Sequence, residues 1–324
     1  MTMSEDHLRV YLDRSELWHG HKLSEAFPEG GVSVEAKKRY KLIADLLGDG
    51  YLTKYISRCK TSPESFTLKS IDEVTRIQLE AIASSITSES GRALVHILIL
   101  QLTVKAIQPD QSVRLHKGNS LSGKFSWVEG ISMRVLDKQF ISPALRQENL
   151  SKVNKDGAFM TRSFAENYPF SRVYKAGILG ASGEWLELVE KIEGNVFEPL
   201  EGLAVVLFRL INLADEFEKL ADDVLSKVKN LIDLSRFKQL SSTRELLIAH
   251  METSEYSARI MEVVMHSLLQ GVEELNGLSG MQLEPLTQMR SANLKHSNFG
   301  DIELTMNGEI VASWDAKYGK ANLR

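Results

Sequence analysis

Apolar residues recur every third or fourth position through most of this chain, and strict alternation appears only near its C-terminal end. The helical spacing predicts a helix over residues 34–47, terminated by Gly48 and Gly50. Ser70 and Glu73 form an S-x-x-E capping box ahead of a helical stretch to about residue 88, which Gly91 interrupts. A more apolar helix follows to residue 107. Its run 93–107 is broken by His96, Gln101 and Lys105, too short and too polar to span a bilayer, so it reads as a buried helix. Over 108–183 the periodicity gives way to short helices joined by loops, with a hairpin expected around the KDG at 155–157. Helices resume over 184–193, 200–226 and 243–275. Residues 1–32 read as irregular, with a turn in FPEGG at 27–31.

At 324 residues the chain is long enough for two domains. A single cysteine, Cys59, excludes a disulfide framework and a cysteine-based zinc cluster, and a reducing cytoplasm fits it best. The first residues are acidic and lack an apolar signal core. Net charge is −4, yet residues 114–175 hold eleven Lys/Arg against five Asp/Glu. A basic middle within an acidic protein is a candidate phosphate-binding surface.

The alternating stretch is FGDIELTMNGEIVASWDAKYGK, two runs around Asn307–Gly308 that predict a β-hairpin. Ile302, Leu304 and Met306 form one apolar face; Ile310, Ala312, Trp314 and Ala316 form the other. Both reach one core only if even positions oppose even ones, which requires a three-residue loop or an equivalent bulge. That parity also gathers Asp301, Glu303, Asp315 and Lys317 on the opposite face. With residue 305 opposite 309, Asp301 lies opposite Ser313 and diagonal to Asp315, roughly 7–8 Å away. Two carboxylates at that spacing supply hard oxygen ligands for Mg²⁺. A lysine beside them can contact a scissile phosphate or stabilise the charge that develops on it.

Gly300–Asp301, a hairpin, then Asp315–Ala316–Lys317 resembles the PD-(D/E)xK nuclease superfamily, the fold of many type II restriction endonucleases. Gly300 stands at the motif's proline. The resemblance implies Asp301 and Asp315 as metal ligands and Lys317 as the catalytic lysine. It adds Glu303 as a further ligand and Glu262, on a helix over 257–271, as the acidic residue that often precedes the hairpin. RVLDKQFISPALR and GAFMTRSFAENYPFSRVY look like the central portion of some type II restriction endonucleases. The implied fold is mainly α with a C-terminal α/β restriction-endonuclease-like core. Because the sequence stops seven residues after Lys317, that core is expected to be incomplete at its C-terminus, as in a truncated chain. Residues 1–183 are then a helical, basic DNA-recognition region. Residues 184–324 are a helical bundle leading into the N-terminal half of the nuclease core. The implied function is Mg²⁺-dependent hydrolysis of double-stranded DNA at a specific sequence, in phage defence, by a homodimer with no nucleotide cofactor and no membrane. The alternatives are a non-catalytic DNA-binding module of a defence system and a helical protein–protein scaffold.

Candidate DNA contacts are Lys117, Lys124, Arg134, Lys138, Arg146, Arg162, Arg172 and Lys175, since arginine reading guanine is the commonest specific major-groove contact. Gly118, Gly123 and Lys124 approach a nucleotide-binding loop, but Phe125 replaces the required Ser or Thr and no strand precedes it. Trp18-His19-Gly20-His21 reads as a surface loop rather than a metal site, and His96 as a hydrogen-bonded core histidine. His250 and His266 lie on the helix before the hairpin and read as packing or surface residues. Cys59, between Arg58 and Lys60, is a candidate for a lowered pKa. Tyr168, Phe170 and Tyr174 read as core rather than base-stacking residues.

Overall fold

The computed structural model describes residues 6–118, 125–151, 153, 157–160, 162–233, 240–254, 256–286 and 300–317. The chain is mainly helical and forms two compact units, Met1–Ala221 and Asp222–Arg324. Residues 184–221 therefore belong with the first unit, and the division falls within a helix rather than at residue 183.

The first unit opens with an antiparallel sheet, β1 (Asp6–Val10), β2 (Arg14–His19) and β3 (Lys22–Pro28), in that order. This corrects the irregular reading of residues 1–32. The sheet is anchored by few apolar side chains, chiefly Leu17 and Phe27 packed with Leu115 and Trp127. A register shift at Leu17/Trp18 breaks the alternation that would have betrayed it.

Helices follow as α1 (Val34–Gly48), α2 (Tyr51–Thr61), α3 (Glu73–Ser84) and α4 (Glu89–Ile107). Ser33 caps α1 by accepting from the Ala36 N–H at 3.0 Å. The expected capping box is displaced. Asp72 caps α3, its carboxylate accepting from Thr75 N at 2.6 Å, and those hydrogen bonds hold it below the usual carboxylate range. Ser70 instead gives both its N–H and its hydroxyl to Glu201. The break before α4 lies at Ser88, whose hydroxyl caps Gly91 N at 3.0 Å. Gly91 is inside the helix, where a Cβ would meet the Ser85 carbonyl at 1.9 Å, so the preceding turn demands glycine.

Helix α4 is the centre of this unit. It is apolar and long enough to cross a membrane by length and composition, but it is the core helix here, with Leu94 to Leu100 fully buried. Its polar residues are satisfied internally. His96 bonds Ser142 through Nδ1 (3.0 Å) and Ser151 through Nε2 (2.9 Å), and the Ser142 hydroxyl donates to Asp137 at 2.8 Å. His96 is thus a hydrogen-bonded core histidine. Gln101 accepts from the Trp185 indole at 2.9 Å.

Beyond α4 come two short helices, α5 (Met133–Leu136) and α6 (Ser142–Gln147), then α7 (Ser182–Glu193) and α8 (Pro199–Asp233). The hairpin expected at 155–157 lies largely outside the described residues. Phe170 and Tyr174 are buried and Tyr168 packs against the same core, in keeping with the packing role read from the sequence.

His116 is a buried histidine of a different kind. Its ring stacks on Phe170 at 4.3 Å, and neither nitrogen makes a well-formed hydrogen bond. Burial pushes its pKa from 6.5 down to about 3, the Lys117 ammonium adds to the shift, and main-chain groups of Arg114 and Glu166 oppose it weakly. The unfolded chain therefore binds a proton below pH 6.5 that the folded chain refuses. The His116 contribution to stability is complete above that pH and is lost as pH falls toward 3. Urea unfolding at pH 4.5 should show about 2–3 kcal/mol less stability than at pH 7 from this residue. His116→Phe should shrink that difference; an unchanged difference would assign it elsewhere.

The second unit holds the end of α8, then α9 (Leu240–Thr253), α10 (Ser257–Glu274) and an antiparallel sheet of β4 (Gln282–Leu283), β5 (Ile302–Met306) and β6 (Glu309–Trp314), in that order. The single helix expected over 243–275 is two. Ser257 donates its hydroxyl to the Met251 and Ser254 carbonyls, and Ser254 accepts from Tyr256 N, so side chains take the groups a continuous helix would use. Helix α10 meets the sheet through Glu273, which accepts from Leu283 N at 2.9 Å, and through His266, 3.0 Å from the Glu284 carbonyl oxygen.

Candidate active site

The hairpin forms where alternation and Asn307–Gly308 predict it. Both turn residues have positive φ (54° and 82°), as a two-residue turn of primed type requires. Met306 pairs with Glu309, and one extra residue, Val311, then bulges out of β6. Beyond it Leu304 faces Ala312, Glu303 faces Ser313 and Ile302 faces Trp314. Even positions thus oppose even ones, by the bulge rather than by a three-residue loop. The register is two residues further along than expected, so Asp301 is level with Trp314 and Asp315, not Ser313.

Asp301 is fastened there. Its main-chain N–H donates to the Trp314 carbonyl at 2.9 Å, and its Oδ2 accepts from Ala316 N at 3.0 Å. Its carboxylate therefore lies against the Asp315–Ala316 peptide. Asp315 is half exposed, and Lys317 Nζ stands 3.5 Å from its Oδ2 in a solvent-facing pair. Asp301 and the Asp315–Lys317 pair are therefore neighbours in the hairpin, linked through the Ala316 N–H. The other oxygens of these carboxylates suit a hard cation. Mg²⁺ commonly takes one or two protein carboxylates and completes its shell with water and phosphate, so this donor pair fits it.

The remaining ligands expected from the sequence are placed differently. Glu303 is buried, 7% exposed, with Oε1 accepting from Gly300 N at 3.0 Å. Glu262 lies on α10 and pairs with Arg259 one turn earlier on the same helix. Among the described residues no group of three or more His, Cys, Asp or Glu side chains is poised for a metal. The expected burial also differs. Strand β5 is buried from Ile302 to Thr305, on both faces, and its polar Thr305 is satisfied by Glu284 at 2.8 Å. Strand β6 is exposed, so Ile310 and Trp314 on the expected inner face remain accessible.

The basic segment is less free than its charge suggests. Arg114 is buried in an ion cluster. Lys117 is half-buried, which lowers its pKa, and donates to Asn167 Oδ1 at 2.5 Å. Arg146 donates to the Val153 carbonyl at 2.8 Å. Arg134 and Lys138 are exposed one helical turn apart; Arg172 and Lys175 are exposed on a non-helical segment, Lys175 5.6 Å over the Tyr168 ring. Lys124 lies outside the described residues, and of Arg162 only the backbone is described.

Segment 125–131 runs back along Leu115 to Lys117, with Trp127 N donating to the Lys117 carbonyl at 3.0 Å, and among the described residues from 125 onward the first helix begins at Met133. A nucleotide-binding loop leads directly into a helix, so the near-match at 118–124 lacks its required context. His19 and His21 flank or occupy the tight β2–β3 turn, with His19 2.5 Å from Asp6. His250 is exposed on α9. Cys59 overturns its expectation: burial in the core pushes its thiol up to about 12, outweighing Arg58, whose guanidinium lies over Phe66.

The sequence reading missed the ion cluster. Arg114 is 5% exposed and grips Glu190 through two bonds, 2.8 and 2.6 Å. Glu193 accepts from Val113 N, Arg114 N and Ser112 and pairs with Lys105. The available signal was Glu190 and Glu193 one turn apart beside the apolar positions of α7. Comparison of the chain with known protein families, curated proteins and solved structures gives no match.

Proposed function

We propose that this protein is a Mg²⁺-dependent deoxyribonuclease of the type II restriction kind, with a PD-(D/E)xK site and a restriction-endonuclease-like C-terminal core. The observation that supports the reading is the Asp301 carboxylate on the Ala316 N–H, between Asp315 and its partner Lys317. Asp301 and Asp315 would hold the cation. When bound, Mg²⁺ lowers the pKa of a coordinated water and offsets charge on the phosphate. Lys317 reaches a phosphate oxygen and stabilises the charge that grows there. The exposed pairs Arg134/Lys138 and Arg172/Lys175 are the candidate DNA contacts. Two copies are the simplest means of cutting both strands, so the acting form is a homodimer, working in the cytoplasm in phage defence.

A helical protein–protein scaffold draws its support from exposed apolar residues on α8, Phe217 at 72% and Leu220 at 61%. One assay separates the readings. The protein and its Lys317→Ala variant are incubated with unmethylated phage DNA and Mg²⁺ at low salt. Discrete fragments from the unmutated protein alone support the nuclease. A salt-sensitive mobility shift without cleavage supports a non-catalytic DNA-binding module. Neither cleavage nor shift leaves the scaffold.

A further inference from the structure

We infer that Glu303 is a positioning residue for Asp301 and not a metal ligand, an inference that rests on the nuclease reading above. Three hydrogen bonds and one close backbone approach form a connected latch. Glu303 Oε1 accepts from Gly300 N at 3.0 Å, and Asp301 N then donates to the Trp314 carbonyl at 2.9 Å. Ala316 N in turn donates to Asp301 Oδ2 at 3.0 Å. Gly300 completes the latch: a Cβ there would meet Ser313 Oγ at 2.2 Å and the Trp314 carbonyl oxygen at 2.8 Å. The chain therefore turns into β5 with its backbone pressed on β6, and glycine is the residue that permits it.

The alternative role suits Glu303 poorly. At 7% exposure it has little room for the waters that Mg²⁺ retains, and one oxygen already accepts a main-chain N–H. A charged carboxylate accepting a backbone N–H is among the stronger hydrogen bonds. It sits at the peptide immediately before Asp301, so it orients the ligand's backbone while Ala316 orients its carboxylate.

Two substitutions separate positioning from ligation. Glu303→Gln keeps an oxygen acceptor for Gly300 N but removes the charge; Glu303→Ala removes both. Mn²⁺ binding is measured by electron paramagnetic resonance without DNA, with Asp301→Asn as reference. Main-chain amide exchange at Gly300 and Ala316 is followed in parallel by NMR. A latch predicts that Glu303→Gln, which keeps a weaker acceptor, loses much less Mn²⁺ binding than Glu303→Ala, which weakens it about 10–100-fold. It also predicts faster exchange at both amides in Glu303→Ala alone. Equal loss of Mn²⁺ binding in both variants would make Glu303 a ligand and overturn the inference. So would unchanged exchange at both amides in Glu303→Ala. If Asp301→Asn leaves Mn²⁺ binding unaltered, the metal reading itself fails, and amide exchange alone then decides whether the latch exists.

Discussion

On the nuclease reading, Asp315→Asn should abolish Mg²⁺-dependent DNA cleavage, by on the order of 10³-fold or more, while leaving the fold unchanged. The two halves of that expectation have separate causes. The Asp315 side chain is half exposed, and its described partner is Lys317 at 3.5 Å, itself 83% exposed. Solvent-facing pairs of this kind contribute about 0–1 kcal/mol. The urea midpoint should therefore barely move. The amide is nearly isosteric with the carboxylate, but it carries no charge and is a far weaker ligand for a hard cation. Loss of turnover with an intact unfolding transition and weakened Mn²⁺ binding is the expected combination. Retention of cleavage would remove Asp315 from the site and with it the strongest support for the nuclease reading.

Arg114→Ala should be the most damaging polar substitution in the first unit, costing about 3 kcal/mol or more of stability. The guanidinium is almost wholly buried, bonded twice to Glu190 and once to the Phe170 carbonyl at 2.9 Å, with Glu25 3.4 Å from its Nε. Truncation strands Glu190 and exposes Glu25 to the neighbouring Glu193 without the compensating cation. Burial already pushes the Glu25 carboxyl above its usual range, against the pull of Arg114. Arg114→Lys should recover only part of the loss, because an ammonium cannot reproduce a two-point grip on one carboxylate. The decisive measurement is a double-mutant cycle with Glu190→Gln on urea midpoints. Once Arg114 is Ala, the second change should cost little, since its partner is already gone. Simple additivity of the two losses would show that the pair is not coupled.

Elements whose cause is local could be read from the chain. The helix at 34–47 has its periodicity, its Ser33 cap and its terminating glycines within one window, and α1 differs from that reading by one residue. The hairpin was equally legible, because Asn307–Gly308 and the flanking alternation act over a few residues. So was the shared parity of Asp301 and Asp315, since a side-chain period of two admits only two answers.

What required the tertiary structure was everything decided by partners distant in sequence. The N-terminal sheet is held by Leu115 and Trp127, far beyond its own strands. Ser70 was diverted from its capping box by Glu201. Cys59 lost its basic neighbours' influence to burial, and Arg114, read as part of a basic surface, was drawn inward by Glu190. At the candidate site the residue types were legible and their division of labour was not. The two-residue turn and the Val311 bulge each moved the register by one and together brought Asp301 level with Asp315, and folding buried Glu303 against Gly300. A sequence specifies which side of a strand a carboxylate takes, because that depends on parity. Whether the carboxylate meets solvent or a main-chain N–H depends on what packs over it, and only the folded chain decides that.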